Sequence, residues 1–467
     1  MKPIHTTWTP VADFIEDYIQ SNPVRAHMPG HKGVAFANKL APIYAHDLTE
    51  ITGADSLYEA DGILLKSEEI ASSLFHSYHT YYSAGGSSQC IKTMCALACA
   101  YHYQNSAELP TILAGRNAHK TFIHASELLR FKIRWLESID DDSLCECKIT
   151  PASLEKTLSS LDPLPCALYL TSPDYLGNIL DIKALAAICH KYHMLLLVDN
   201  AHGAYLKFMD APWIHPIEAG ADLVCDSAHK TLPALTGAAY LHMSRHAPQA
   251  LLKLSSAVRD YNVMFGSTSP SYLILESMDR VSKWLIDYPD AYKQCAVKVS
   301  QLKEKIKALG FHLRESEPLK ITLSLPHQGK SFMKDLTAHH IECEYADPDF
   351  VVLMLSPFNS DEDLSRIKQA FALLSHNENY LQKKTECMRT SLPEVKYQPY
   401  ELLFASEEEI AVDEKCLGRI CVRCHIGCPP AVLPIVPGEV INAQTIKVLK
   451  KYEIKTIHVL KNPGANK

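Results

Sequence analysis

A lysine set among small residues is the first feature of the chain that could do covalent chemistry. In "LVCDSAHKTLPALTGAAYLH" (223–242) an apolar run ends at Asp226, Ser227 and His229 follow, and Lys230 precedes a turn with Pro233 and Gly237. A solvent-facing lysine needs no such setting, whereas a nucleophilic amine does. Three other stretches carry candidate chemistry. In "YYSAGGSSQCIKTMCALACAYHY" (81–103), Gly85 and Gly86 let the backbone approach a ligand and Ser87 and Ser88 supply hydroxyls at the start of a helical pattern. A helix opening there presents free amides to a phosphate, although a serine cap on a core helix has the same pattern. "LLLVDNAHGAY" (195–205) puts Asp199 at the end of an apolar run, where a carboxylate needs a partner: a protonated heterocycle, or a helix or turn to cap. Ala201 is small enough for a flat ring to lie against it. His202 beside it, and His119 in "AGRNAHKTFIHA" (114–125), are ring-stacking or proton-handling candidates and equally hydrogen-bonded structural histidines.

The elements that must position these residues follow from the patterning. Strands are expected at "TILAG" (111–115), "CALYLTS" (166–172), "MLLLVDN" (194–200), "ADLVCDS" (221–227) and "AAYLHM" (238–243), separated by segments such as "DIKALAAICHKYH" (181–193) with helical spacing. Strands buried on both faces and alternating with helices imply a mainly parallel sheet in an α/β domain, whose ligands sit at the carboxyl ends of the strands. Residues 78–279 are expected to form this large domain, after an N-terminal segment, 1–77. Over 280–375 a polar helix, "YKQCAVKVSQLKEKIKALG" (292–310), precedes strand-like "KITLSLP" (320–326) and "FVVLMLS" (350–356) and a helix starting near Asp361, which reads as a smaller α+β domain. A polar connector, 376–398, leads to a last domain, 399–467, with a helix–strand pair in "INAQTIKVLKKYEIKTIHVL" (441–460).

Taken in chain order, a phosphate-type loop, a stacking histidine, a buried aspartate and a lysine beside serine and histidine are the parts of a pyridoxal phosphate site. The resemblance then becomes specific. "CDSAHKTLPALTG" (225–237) resembles the cofactor-lysine motif of the bacterial Orn/Lys/Arg decarboxylase family. "RAHMPGHKG" (25–33), "DLTEITGADSL" (47–57), "RNAHKT" (116–121), "SPDYLGNILDI" (172–182), "VDNAHGA" (198–204) and "CPPAVLPIVPGE" (428–439) are similar to that family's motifs in the same order. The resemblance implies the pyridoxal-phosphate-dependent fold type I (aspartate-aminotransferase-like), with a C-terminal decarboxylase-type domain and no N-terminal wing domain. It implies that Lys230 is the covalent anchor, that Asp199 pairs with the pyridine nitrogen, and that His119 stacks on one ring face with Ala201 on the other. His202 belongs to the same cofactor site, and Gly86, Ser87, Ser88, Ser227 and His229 would bind the phosphate. The implied reaction is decarboxylation of arginine, lysine or ornithine to an amine of polyamine metabolism, in a homodimer or higher homo-oligomer whose N-terminal segment helps build the site. A distal cation on the substrate calls for a carboxylate, and Glu50, Asp55 and Glu439 are the candidates.

Several positions depart from the family pattern. Asn200 stands where glutamate is frequent, Cys428 where a tyrosine precedes the double proline, and Ala431 where glycine follows it. "SAGGSSQ" (83–89) and "GADSLYEADGI" (53–63) also differ, which bears on the substrate and keeps open a catalytically reduced homologue that binds the cofactor. An aminotransferase or lyase is the other enzymatic reading. An aminotransferase grips the substrate carboxylate with a small-domain arginine, and "DFVVLMLSPFNSDEDL" (349–364) has none. "CVRCHIGCP" (421–429), with Cys416, has part of an iron–sulfur spacing. It falls where the resembling family has an ordinary strand and turn, so no metal is expected. The 467 residues carry a net charge of -7, 47% hydrophobic and 21% charged residues, which fits a soluble globular protein and not a general nucleic-acid binder. Fifteen scattered cysteines, no signal-like N-terminus and no membrane-length apolar run fit the cytoplasm.

Overall fold

The computed structural model describes residues 7–29, 31–35, 40–138, 141–382 and 391–461. Seven strands belong to the α/β part: β1 (His79–Ser83), β2 (Thr111–Ala114), β3 (Lys132–Trp135), β4 (Ala167–Thr171), β5 (Leu195–Asp199), β6 (Leu223–Asp226) and β7 (Ala239–Met243). The chain separates into two compact units, residues 1–107 with 195–290 and residues 108–194 with 291–467.

In the first unit the strands lie in the order β1-β7-β6-β5. β5 and β6 are parallel, with Leu197 opposite Leu223 and Asp199 opposite Cys225. β7 runs antiparallel to both β6 and β1. Every residue of β5, β6 and β7 is buried, which explains their near-continuous apolar character. The helix Gly86–Tyr103 packs Cys90, Ile91, Met94, Cys95, Leu97 and Ala98 inward at three- and four-residue spacing.

In the second unit β2 lies between β4 and β3, parallel to both. Two further three-stranded antiparallel sheets follow. One holds β8 (Lys320–Ser324), β9 (Tyr345–Ala346) and β10 (Phe350–Met354) in the order β8-β10-β9; its segment also carries the helices Ala291–Ala308, Gly329–Ala338 and Asp361–Leu374. The helix Asp361–Leu374 starts at a capping box in which Ser360 and Asp363 satisfy each other's backbone amides. The other sheet holds β11 (Glu407–Ala411), β12 (Cys421–Arg423) and β13 (Thr456–Leu460) in the order β11-β13-β12, with the helix Ala443–Lys451.

The five strands expected in the α/β part are present, and the pairing is mainly parallel. β1 and β3 were not expected. The first, "HTYYS", has no aliphatic residue, and its burial rests on Tyr81 and Tyr82; the second, "KIRW", is a short strand whose two charged residues are exposed. The connector expected at 376–398 falls partly outside the described residues; its described part holds the short turn of helix Glu378–Leu381.

Candidate active site

The first unit gathers most of the expected residues at the carboxyl ends of β5 and β6. Gly86 opens the 18-residue helix Gly86–Tyr103 with φ +69°, and its amide donates to the Gly237 carbonyl at 2.8 Å. A Cβ at Gly86 would meet nothing nearer than that carbonyl oxygen, at 4.0 Å, so the left-handed backbone rather than crowding is what calls for glycine. The amides of Ser87 and Ser88 lie in the first turn, outside the intrahelical ladder and at the positive end of the dipole. Gln89 fixes this opening by accepting from the Ser83 hydroxyl (2.6 Å) and the Gly85 amide (3.1 Å). The Cys225 thiol lies 3.7 Å from the Ser87 carbonyl, tying the helix start to β6.

Lys230 sits in the short helix Ala228–Thr231 immediately after β6. Its Nζ lies 3.0 Å from Nε2 of His202. Asp199 is the last residue of β5, is buried, and accepts the Ala201 amide at 3.1 Å, which shapes the turn carrying Ala201 and His202. His229 Nδ1 lies 2.8 Å from the Ala238 carbonyl, and burial, then the Lys230 charge, lower its pKa. A carbonyl only accepts, so Nδ1 is the donor in this contact.

These residues fit pyridoxal phosphate. The Ser227 hydroxyl is fully buried with no protein hydrogen-bond partner, a costly state that a phosphate oxygen would relieve. The donor set of a helix start, a serine, a lysine and a buried carboxylate has the polarity of the cofactor's phosphate, aldehyde and ring nitrogen. Ser87, Ser88, Ser227 and His229 would hold the phosphate, Lys230 the aldehyde carbon and Asp199 the ring nitrogen.

The remaining expected residues have the following partners. His119 belongs to the second unit, where it caps the helix Lys120–Leu129: its Nδ1 accepts the Thr121 amide at 3.2 Å. Next to it, the Lys120 amide donates to the Ala431 carbonyl at 2.7 Å, so the double-proline segment packs on the histidine's own turn. Asp55 accepts the amides of Ser56 (2.8 Å), Asp61 (3.1 Å), Gly62 (2.8 Å) and Leu64 (2.9 Å), which fills its carboxylate and starts the helix Ile63–Phe75. Glu439 is buried against Arg116 (2.9 Å) and accepts the Val436 amide (2.7 Å). Glu50 is exposed and takes a hydrogen bond from the Thr49 hydroxyl.

The four cysteines of the iron–sulfur spacing differ in setting. The Cys416 thiol donates to the Ala411 carbonyl at 2.9 Å, Cys421 and Cys424 are buried with burial pushing the Cys424 pKa up to about 12, and Cys428 is exposed. The group of potential metal ligands that does come together among the described residues was not anticipated: His215, Asp226 and His242. The only signal in the sequence was an aspartate ending an apolar strand, the same signal that marked Asp199.

The family model described as "Orn/Lys/Arg decarboxylase, major domain" matches residues 9–356. The chain belongs to this family. It is a pyridoxal-phosphate-dependent amino-acid decarboxylase. An arginine decarboxylase of Bacillus subtilis is 25% identical over 472 residues, covering 95% of this chain and 93% of that one. In fold, the chain is similar to a lysine decarboxylase of Francisella novicida (TM-score 0.79, 16% identity, 97% of this chain and 81% of that one). It is also similar to the constitutive lysine decarboxylase of E. coli (TM-score 0.77, 16% identity, 98% and 82%). The family's reaction is the decarboxylation of basic amino acids, which agrees with the absence of arginine from β10. Among the described residues no helix is long and apolar enough to cross a membrane.

Proposed function

We propose that this decarboxylase acts on arginine, lysine or ornithine and releases the corresponding amine into polyamine metabolism. The observation that carries the reading is the meeting of Lys230, His202, Asp199 and the orphaned Ser227 hydroxyl at two adjacent strand ends. When bound, pyridoxal phosphate supplies an electron sink for the pair released as the carboxylate leaves Cα. The chain's own residues set that up. Lys230 holds the cofactor covalently, and His202, 3.0 Å from its Nζ, is placed to take or return its proton. Asp199 keeps a proton on the ring nitrogen, because a buried carboxylate strongly favours a cationic partner. Ser87, Ser88, Ser227 and His229 would hydrogen-bond the phosphate.

For the distal cation, Glu50 is the leading candidate of the three acids. Asp55 is filled by backbone amides and Glu439 is paired with Arg116 through Oε2, whereas among the described residues Glu50 is engaged by a neighbouring hydroxyl. We further propose that the protein works in the cytoplasm as a homodimer to which residues 1–77 contribute, and that 399–467 form the family's C-terminal domain. Purified protein incubated with pyridoxal phosphate and mixed amino acids tests the reading by mass spectrometry of the products. Loss of the carboxyl group from arginine, lysine or ornithine is expected. A 2-oxo acid would make it an aminotransferase, and no product at all would make it a non-catalytic homologue.

A further inference from the structure

A buried polar network stands one residue from Asp199 on β5 and one residue from Ser227 on β6. Asp226 Oδ2 accepts from His215 Nε2 (3.0 Å) and His242 Nε2 (3.1 Å), and Oδ1 accepts from Asn200 Nδ2 (2.6 Å). All four side chains are fully buried. Burial pushes the Asp226 pKa up, but His215 and His242 together hold it well below the usual carboxylate range. Burial keeps His242 below the usual histidine range. Cys225 and Tyr240, the other ionisable groups facing Asp226, are raised mainly by burial and stay neutral. The Asp226 carboxylate is therefore held ionised inside the network.

The group is not built for a metal. His215 Nδ1 accepts the Ile217 amide at 3.3 Å, so its proton resides on Nε2 and points at Asp226, where a metal would need a lone pair. What the network does instead is orient Asn200. With Nδ2 claimed by Asp226, the amide oxygen of Asn200 is left buried without a protein partner. An orphaned buried acceptor is costly, so Asp226 dictates this orientation against the amide's own preference. The Asn200 backbone is just as constrained. Its N–H donates to Cys225 (2.9 Å), continuing the β5–β6 pairing past Asp199, and its carbonyl accepts from Gly203 (2.8 Å), closing the turn that carries Ala201 and His202.

We propose that Asp226 is a positioning residue for the reaction: through Asn200 it fixes the strand end carrying Asp199 and the turn carrying His202, and its carboxylate adds negative potential behind Asp199. This rests on the assignment of Asp199 to the cofactor's ring nitrogen. The test uses holoenzyme loaded with pyridoxal phosphate labelled with nitrogen-15 in the ring, whose chemical shift reports ring protonation independently of turnover. Wild type is expected to give the protonated shift and Asp199→Ala the unprotonated one; if these two do not differ, the Asp199 assignment falls and Asp226 loses its role with it. Given that difference, Asp226→Asn is expected to move the shift toward the unprotonated position and to lower kcat roughly tenfold with little change in KM. A folded Asp226→Asn protein with an unmoved shift, even with a lower Tm, would reduce Asp226 to a stability role and overturn the proposal. The swap Asn200→Asp/Asp226→Asn returns a carboxylate to the same hydrogen bond and is expected to recover the wild-type shift. If Asp226→Asn does not fold, the swap decides: recovery upholds the proposal, and a displaced shift or a swap that also fails to fold overturns it.

Discussion

Arg116 and Glu439 form a fully buried ion pair, with Nη2 and Oε2 2.9 Å apart and each side chain about 1% exposed. Arg116 also donates to the Leu433 carbonyl (2.9 Å) and lies over the Trp135 ring, so the pair pins the segment after the double proline. Glu439→Ala leaves that guanidinium buried without its counter-charge and should cost about 3–5 kcal/mol in denaturant unfolding. A loss under about 1 kcal/mol, with a defect confined to turnover of basic amino acids, would restore Glu439 as a substrate residue.

Asp55 and Glu50 should separate along the same line. Asp55→Ala removes the acceptor for five amides around the start of the helix Ile63–Phe75 and should cost about 1–2 kcal/mol of stability while leaving substrate preference intact. Glu50→Gln should leave stability alone but lose about 2–4 kcal/mol of transition-state stabilisation for basic over neutral amino acids. Steady-state kinetics with arginine, lysine, ornithine and a neutral amino acid check both. Unchanged preference in Glu50→Gln would remove it from the distal site.

Asp199→Ala should still bind the cofactor through Lys230 and the phosphate contacts, yet lose on the order of 10²–10³-fold in kcat. Cofactor content by absorbance and turnover measured on one preparation give the answer. Full cofactor occupancy with wild-type turnover would show that the ring nitrogen is paired elsewhere.

Glu127 gives a prediction in pH. It lines a cavity of about 400 Å³ with Lys120, His124 and Arg423, and burial pushes its pKa up to about 7 from 4.5, with Arg423 partly opposing. Its folded pKa exceeds its unfolded one, so its contribution to stability is complete below pH 4.5 and is lost as pH rises through about 7. Glu127→Gln, which cannot ionise, should match wild type in Tm at pH 4.5 and exceed it at pH 8. Parallel Tm profiles across that range would contradict the shift.

Much of this architecture was legible because it is local. β2, β4, β5, β6 and β7 announce themselves as short apolar runs, and Asp199 and Lys230 sit at the ends of β5 and β6, where α/β sheets place ligands. What stayed hidden depends on partners distant in sequence. β1 is a strand because Tyr81 and Tyr82 are buried beside β7, more than 150 residues later. Asp226 gains its meaning from Asn200, His215 and His242, none adjacent to it in sequence. Asp55 and Glu439 were equally suited on paper to a substrate cation or to structural pairing. Only their distances to backbone amides and to Arg116 give them structural partners.

The central claim is that Lys230 carries the cofactor, and reduction with borohydride followed by peptide mapping tests it most directly. Holoenzyme treated in this way and digested should yield a single peptide bearing the reduced cofactor, and fragmentation should place it on Lys230. Cofactor found on another lysine, or a protein that stays unlabelled with pyridoxal phosphate in excess, would contradict the account.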